Sequence, residues 1–137
     1  MTLVDSNVLL DVLTDGQAWA DWSQRQLERT ALDGPLIIND VIYAEISTRY
    51  ATVEALDSIL LDLKIEVAPM PRHALFLAGK AHLQCRAAGG IRTGVLSDFF
   101  IGAHAVTENL PLLTRDVRRY RNYFPTIVLM APDSDGY

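Results

Sequence analysis

The chain has 137 residues, is 50% hydrophobic and carries a formal net charge of −5. That apolar content suits one packed domain and is too high for a disordered chain. The single cysteine, Cys85, excludes an internal disulfide and every multi-cysteine zinc pattern and fits a reducing cytoplasm, while the acidic balance argues against a nucleic-acid surface spread over the whole molecule.

The N-terminal stretch MTLVDSNVLLDV is apolar but lacks a basic leader. Asp5 and Asp11 interrupt it, so no secretory signal is expected. No run reaches the roughly 20 apolar residues of a membrane span. TLVD reads as a buried strand ending in an acid. SNVLLDVL follows at helical spacing, with Ser6 a candidate N-cap. Residues 17–32 form an amphipathic pattern, with Trp19, Trp22 and Leu27 opposite Arg25, Glu28 and Arg29, and Gly34-Pro35 stops it. PLIIN is a second strand, residues 40–50 and 53–63 two helices, and IEVAP a third strand. Pro71 opens a helix to Ala88, and Gly89-Gly90 ends it. GGIRTG is a loop, residues 98–108 an apolar helix, and PLLT a fourth strand. A helix over 116–123 and a strand in TIVLM, placed at Ile127–Val128, complete the domain, which spans residues 1–130, with 131–137 a loose tail.

These strands are short continuous apolar runs alternating with helices. That is the pattern of a parallel sheet covered on both faces, an α/β architecture. Ligands of such sheets collect beyond the carboxyl ends of the strands. Asp5 ends the first strand and Asp116 follows the fourth by two residues, so both acids belong on one edge.

Asp98 raises a sharper question, because it heads the apolar run FFIGAHA. A lone buried carboxylate is costly unless it is neutralised or partnered. Four acids share this apolar setting: Asp5, Glu45 within VIYAEIS, Asp98 and Asp116. Each has a plainer explanation when taken alone. Asp98 suits the positive end of its helix, Asp5 suits a cap, Glu45 a solvated position, and Asp116 a pair with Arg115, Arg118 or Arg119. The four together leave their common context unexplained. If they converge, each pair at 4 Å repels by about 1–4 kcal/mol, and cations or protons must balance the cluster. An oxygen-only donor set selects a hard ion, Mg²⁺ or Mn²⁺, which suits phosphodiester hydrolysis.

Other chemistries fit less well. His73, His82 and His104 are scattered on helices as surface or satisfied polar residues, with no metalloprotease spacing. No nucleophile elbow or phosphate-binding glycine loop is present.

The segments VDSNVLLD, YAEIS, LSDFFIGAHA and LLTRDVRRYRNYFP together resemble the PIN-domain ribonucleases, and within them the VapC toxins of bacterial toxin–antitoxin pairs. The resemblance runs from Thr2 to Val128. It implies a PIN-like three-layer α/β/α sandwich around a central parallel sheet of about five strands. It further implies a Mg²⁺- or Mn²⁺-dependent endoribonuclease acting on transfer or ribosomal RNA in the cytoplasm. A small cognate antitoxin would restrain it, and such toxins frequently pair as homodimers. Carried over residue by residue, Asp5, Glu45, Asp98 and Asp116 are the catalytic acids, with Asp5, Asp98 and Asp116 on the metal. Ser6, Asn7 and Thr114 accompany them, with Arg115 at the rim. By their position beside Asp116 and before Asp98, Arg115, Arg118, Arg119 and Arg92 are the expected RNA-binding residues, the plainer reading being a solvated helix face. Where some PIN domains carry further acids, this chain has Ser97 and Thr114, which leaves one or two metal ions open. The local arginines answer the acidic net charge, because RNA affinity follows phosphate contacts more than total charge.

An antitoxin helix would pack on residues 17–32 or 53–63, which carry Trp19, Trp22, Leu60 and Leu61. The alternative reading is a catalytically inactive PIN-like module that binds RNA or protein. A phosphoacceptor receiver domain is the other rival. It needs adjacent early acids and a late lysine, whereas Lys64 and Lys80 fall mid-chain.

Overall fold

The computed structural model describes residues 1–14, 18–87, 89 and 96–132. Among them are five strands: β1 Thr2–Val4, β2 Leu36–Ile38, β3 Ile65–Val67, β4 Leu112–Leu113 and β5 Leu129–Met130. The helices are α1 Ser6–Leu13, α2 Ala20–Asp33, α3 Asp40–Ser47, α4 Val53–Asp62, α5 Arg72–Ala87, α6 Leu96–Thr107 and α7 Val117–Arg121. The strands form one sheet in the order β3-β2-β1-β4-β5, every pair parallel.

All three residues of β1 and of β2 are buried. Successive strand side chains point to opposite faces, so helices must cover both sides and the architecture is α/β/α. Leu3, Val4, Ile37, Ile38, Leu112 and Leu113 fill the middle, with Ile42, Phe99, Ile101 and Tyr120 packed over them. The helices interlock as a chain: α1 contacts α2 and α3, α3 contacts α6, and α6 lies against α5 and α7. No helix of the described residues is long and apolar enough to cross a membrane.

The strand order carries the functional consequence. From β1 the chain steps outward through β2 to β3, then returns to place β4 on the other side of β1. A crevice therefore opens between the carboxyl ends of β1 and β4, where open parallel sheets hold ligands. Leu3 pairs with Leu112 and Val4 with Leu113, so Asp5 and Thr114 emerge side by side at that point. The Asp5 amide donates to the Leu113 carbonyl at 2.9 Å, which fixes the pairing.

Several boundaries differ from the sequence reading. Ser6 is the first residue inside α1, and Asp5 holds the cap position without making a side-chain cap bond. The helix read over 17–32 is α2, Ala20–Asp33, and α6 begins two residues before Asp98. The last strand is Leu129–Met130 rather than Ile127–Val128, because the ladder with β4 pairs Leu112 with Leu129. Ile127 is instead buried in the core. The GGIRTG loop lies outside the described residues except for Gly89, as do residues 133–137 of the tail.

Gly102 sets how closely α6 and α7 approach. A Cβ on Gly102 would stand 2.5 Å from the Phe124 ring and 3.2 Å from Tyr120 Cδ1. Only a residue without a side chain lets that ring pack against α6 and brings Tyr120 over the sheet edge.

Candidate active site

Each acid reaches the crevice on a different element. Asp5 follows β1, Glu45 lies on α3, Asp98 lies in the first turn of α6, and Asp116 caps α7 through the Arg119 amide. Asp5 and Asp98 are buried, 4% and 7% exposed, whereas Glu45 and Asp116 are half-buried.

Three side chains link the four acids into one continuous string. Ser6 Oγ lies 2.8 Å from Glu45 Oε1 and 3.4 Å from Asp5 Oδ1. The Tyr120 hydroxyl donates to Asp5 Oδ2 at 2.7 Å and lies 3.5 Å from Asp98 Oδ1. Arg119 Nε pairs with Asp116 Oδ2 at 2.7 Å while its Nη1 stands 3.5 Å from Asp98 Oδ2. The order is therefore Glu45, Ser6, Asp5, Tyr120, Asp98, Arg119, Asp116.

Thr114 closes the string on the β4 side. Its hydroxyl donates to Asp5 Oδ2 at 2.8 Å and accepts from the Asp116 amide at 3.0 Å and from Asn7 Nδ2 at 3.3 Å. Asn7 Oδ1 in turn accepts from the Arg115 amide at 3.3 Å. Ser97 Oγ donates to Glu45 Oε2 at 3.0 Å, so Glu45 is held from both ends.

The electrostatics follow from burial and crowding. Asp98 is pushed up to about 7, first by desolvation and then by the charges of Asp5, Glu45 and Asp116, against the opposing pull of Arg119. Desolvation also raises Asp5, countered by the hydrogen bonds from Tyr120 and Thr114. Tyr120 is raised well above the ordinary phenol range by burial and by both carboxylates, so it stays a donor. Desolvation works against the charge of Arg119, but Asp98 and Asp116 outweigh it and raise its pKa.

This donor set fits a hard divalent cation. All four acids offer oxygen, two of them are buried, and among the described residues the one guanidinium beside them, that of Arg119, leaves an excess of negative charge. Among the described residues no three acidic, His or Cys side chains form a ready-made metal cage. A bound ion must therefore complete its shell with water or substrate oxygens, as Mg²⁺ commonly does.

The structure sets Ser6, Asn7 and Thr114 within the hydrogen-bond network of the acids. Of the arginines, Arg118 is exposed, Arg119 lies against the acids, and Arg92 lies outside the described residues. Arg115 turns away from the crevice. Its Nε and Nη2 hold Asp11 at 2.6 and 2.9 Å, and its guanidinium carbon lies 5.4 Å from the centre of the Trp19 ring. Trp22 and Leu60 join the core, while Trp19 and Leu61 stay exposed.

Tyr120 and Asp11 were missed in the sequence. Asp11 is 3% exposed and also accepts from Ser23 Oγ at 2.7 Å. It sits in LLDVL, in the apolar setting that singled out the other acids, so the same rule would have found it. Tyr120 carried no such signal except its place four residues after Asp116 on a short helix. His104 is a satisfied core residue. Asn39 Oδ1 accepts from the Ile42 amide, so Asn39 Nδ2 donates to His104 Nδ1 at 3.1 Å, and burial lowers the imidazole pKa.

Comparison with the curated proteins gives no match. Among solved structures, the chain is similar to VapBC2 from Rickettsia felis bound to a fragment of its promoter DNA, at 19% identity, 95% coverage of this chain, 97% of that chain and a TM-score of 0.71. FitAcB from Neisseria gonorrhoeae gives 16% identity, 98% and 99% coverage and a TM-score of 0.69. A toxin–antitoxin complex from Klebsiella pneumoniae gives 18% identity, 96% and 98% coverage and a TM-score of 0.65. These likenesses concern the fold. The PIN domain family model matches residues 2–125, from β1 to just past α7, and the chain belongs to the PIN domain family.

Proposed function

We propose that this chain is a VapC-type toxin: a Mg²⁺- or Mn²⁺-dependent endoribonuclease of the cytoplasm, cleaving transfer or ribosomal RNA and held in check by a small cognate antitoxin. The observation that carries the reading is the string of contacts that gathers Glu45, Asp5, Asp98 and Asp116 at the crevice between β1 and β4. Family membership and the toxin–antitoxin complexes among the solved relatives support it.

Asp5, Asp98 and Asp116 would hold the ion, and Glu45 would act through water. Bound there, the ion supplies Lewis-acid polarisation of a phosphate and an activated water. The chain's own residues supply positioning. Thr114 and Tyr120 both fix Asp5 Oδ2, so the carboxylate need not reorganise when charge develops on the phosphate. Ser6 and Ser97 hold Glu45 by both oxygens, which fixes where a proton from water would be received. Arg118, exposed on α7 two residues after Asp116, offers a phosphate contact. Exposed Trp19 at the N-cap of α2 and Leu61 on α4 offer apolar contacts to an antitoxin helix. A second copy of the chain is a further partner.

The experiment is an RNA cleavage assay on the purified chain with Mg²⁺, Mn²⁺ or EDTA, repeated with Asp98→Asn. Cleavage that requires the metal and is lost in the variant supports the reading. A folded protein that binds RNA but never cleaves it would favour the inactive binding module.

A further inference from the structure

Among the described residues, Arg119 is the basic side chain that stands against the site acids. It bridges Asp98 and Asp116, two of the three acids assigned to the ion above. Its hold is uneven. The contact to Asp116 is short at 2.7 Å, while that to Asp98 is 3.5 Å, beyond a good hydrogen bond. The Arg119 side chain is 59% exposed and the Asp98 side chain 10%, so the guanidinium reaches inward from solvent toward a buried acid. Its root is secured separately, since the Arg119 amide caps onto Asp116 Oδ1 at 3.4 Å. The head can leave without unmaking α7.

A guanidinium and a hydrated divalent ion answer the same excess of negative charge, and they cannot both lie between Asp98 and Asp116. We propose that Arg119 is a displaceable internal counter-ion: it seats between Asp98 and Asp116 in the metal-free protein and swings out, free to meet a phosphate, when a divalent ion takes its place. This rests on the reading of the acids as a metal site. It has a consequence opposite to that of a positioning role. An arginine that preorganises the two acids strengthens metal binding, whereas one that competes for them weakens it.

The test titrates Mn²⁺ into metal-free wild type, Arg119→Met and Arg119→Lys by calorimetry at fixed pH and ionic strength, with melting curves in EDTA. Competition predicts that Arg119→Met binds Mn²⁺ at least about tenfold more tightly, from the loss of one positive charge a few ångströms away, yet melts lower without metal. Arg119→Lys should fall between Arg119→Met and wild type. Equal or weaker Mn²⁺ binding by Arg119→Met overturns the proposal while leaving the metal site standing. Failure of wild type and variant alike to bind Mn²⁺ overturns the metal reading and this proposal with it. If Arg119→Met does not fold, the Nε–H resonance of Arg119 in the wild type decides. It should be visible in EDTA and shift or vanish on saturation with Mg²⁺, and a resonance indifferent to Mg²⁺ overturns the proposal.

Discussion

The Tyr120 hydroxyl stands between two buried carboxylates, 2.7 Å from Asp5 and 3.5 Å from Asp98. It favours the ionised form of Asp5 against the desolvation that raises its pKa. Tyr120→Phe removes that donor and leaves Asp5 Oδ2 to Thr114. The variant should lose about 1–3 kcal/mol of stability at neutral pH, the cost of a buried charged acceptor losing a partner. Mn²⁺ binding should weaken more at pH 6 than at pH 8, because Asp5 becomes harder to ionise. Calorimetric titrations at the two pH values check this, and a loss independent of pH would count against it.

Arg115 and Asp11 form a second, separate device. The bidentate pair ties the segment between β4 and α7 to α1, with Trp19 beside the guanidinium. Arg115→Met leaves Asp11 buried, with Ser23 as its remaining hydrogen-bond donor. The expected cost is about 2–3 kcal/mol, below the range for fully buried pairs because the Arg115 side chain is 29% exposed. Asp11→Leu in the same background should recover much of it, since the unpaired buried charge disappears. Chemical denaturation of the single and double variants measures the coupling.

Gly102→Ala sets two effects against each other. Alanine gains about 1 kcal/mol of helix propensity over glycine. Its Cβ, however, meets the buried Phe124 ring at 2.5 Å, and overpacking of that kind costs about 1–3 kcal/mol. Net destabilisation is expected, with displacement of Tyr120 weakening Mn²⁺ binding as well. A variant as stable as wild type would show that α6 and α7 can part without cost.

The metal-free protein should lose stability as pH rises. Asp98 is raised to about 7 in the folded protein, so the folded state holds a proton that the unfolded chain releases near pH 4. Stability therefore falls between about pH 4 and 7, and the raised Asp5 adds in the same direction. Melting curves in EDTA across that range should show the decline, and Asp98→Asn should flatten it.

How much of this was legible in the sequence depends on the range of the interaction. The strands could be read because each is a short apolar run whose burial is a local property. The last strand was misplaced by two residues because Ile127 to Met130 is a uniform apolar run, and only pairing with Leu112 and Leu113 selects Leu129–Met130. Asp5 and Asp116 could be placed on one edge because both follow strands of a parallel sheet. Asp5 looked like a helix cap, and it does sit at the cap position. Its Oδ2, however, accepts from Thr114 and Tyr120, more than 100 residues away. Tyr120 itself looked like an ordinary helix residue, and the Asp11–Arg115 pair also joins distant segments. No local pattern encodes such contacts.

The measurement that bears most directly on the account is RNA cleavage by wild type and Asp98→Asn, each with Mg²⁺ and with EDTA. Asp98→Asn keeps the side-chain shape and removes one charge from the string. Wild type should cleave with Mg²⁺ and stop with EDTA, and the variant should be slower by about two orders of magnitude or more while melting as high as metal-free wild type. An Asp98→Asn protein that cleaves normally, or a wild type fully active in EDTA, would contradict the claim that these carboxylates hold a catalytic divalent ion.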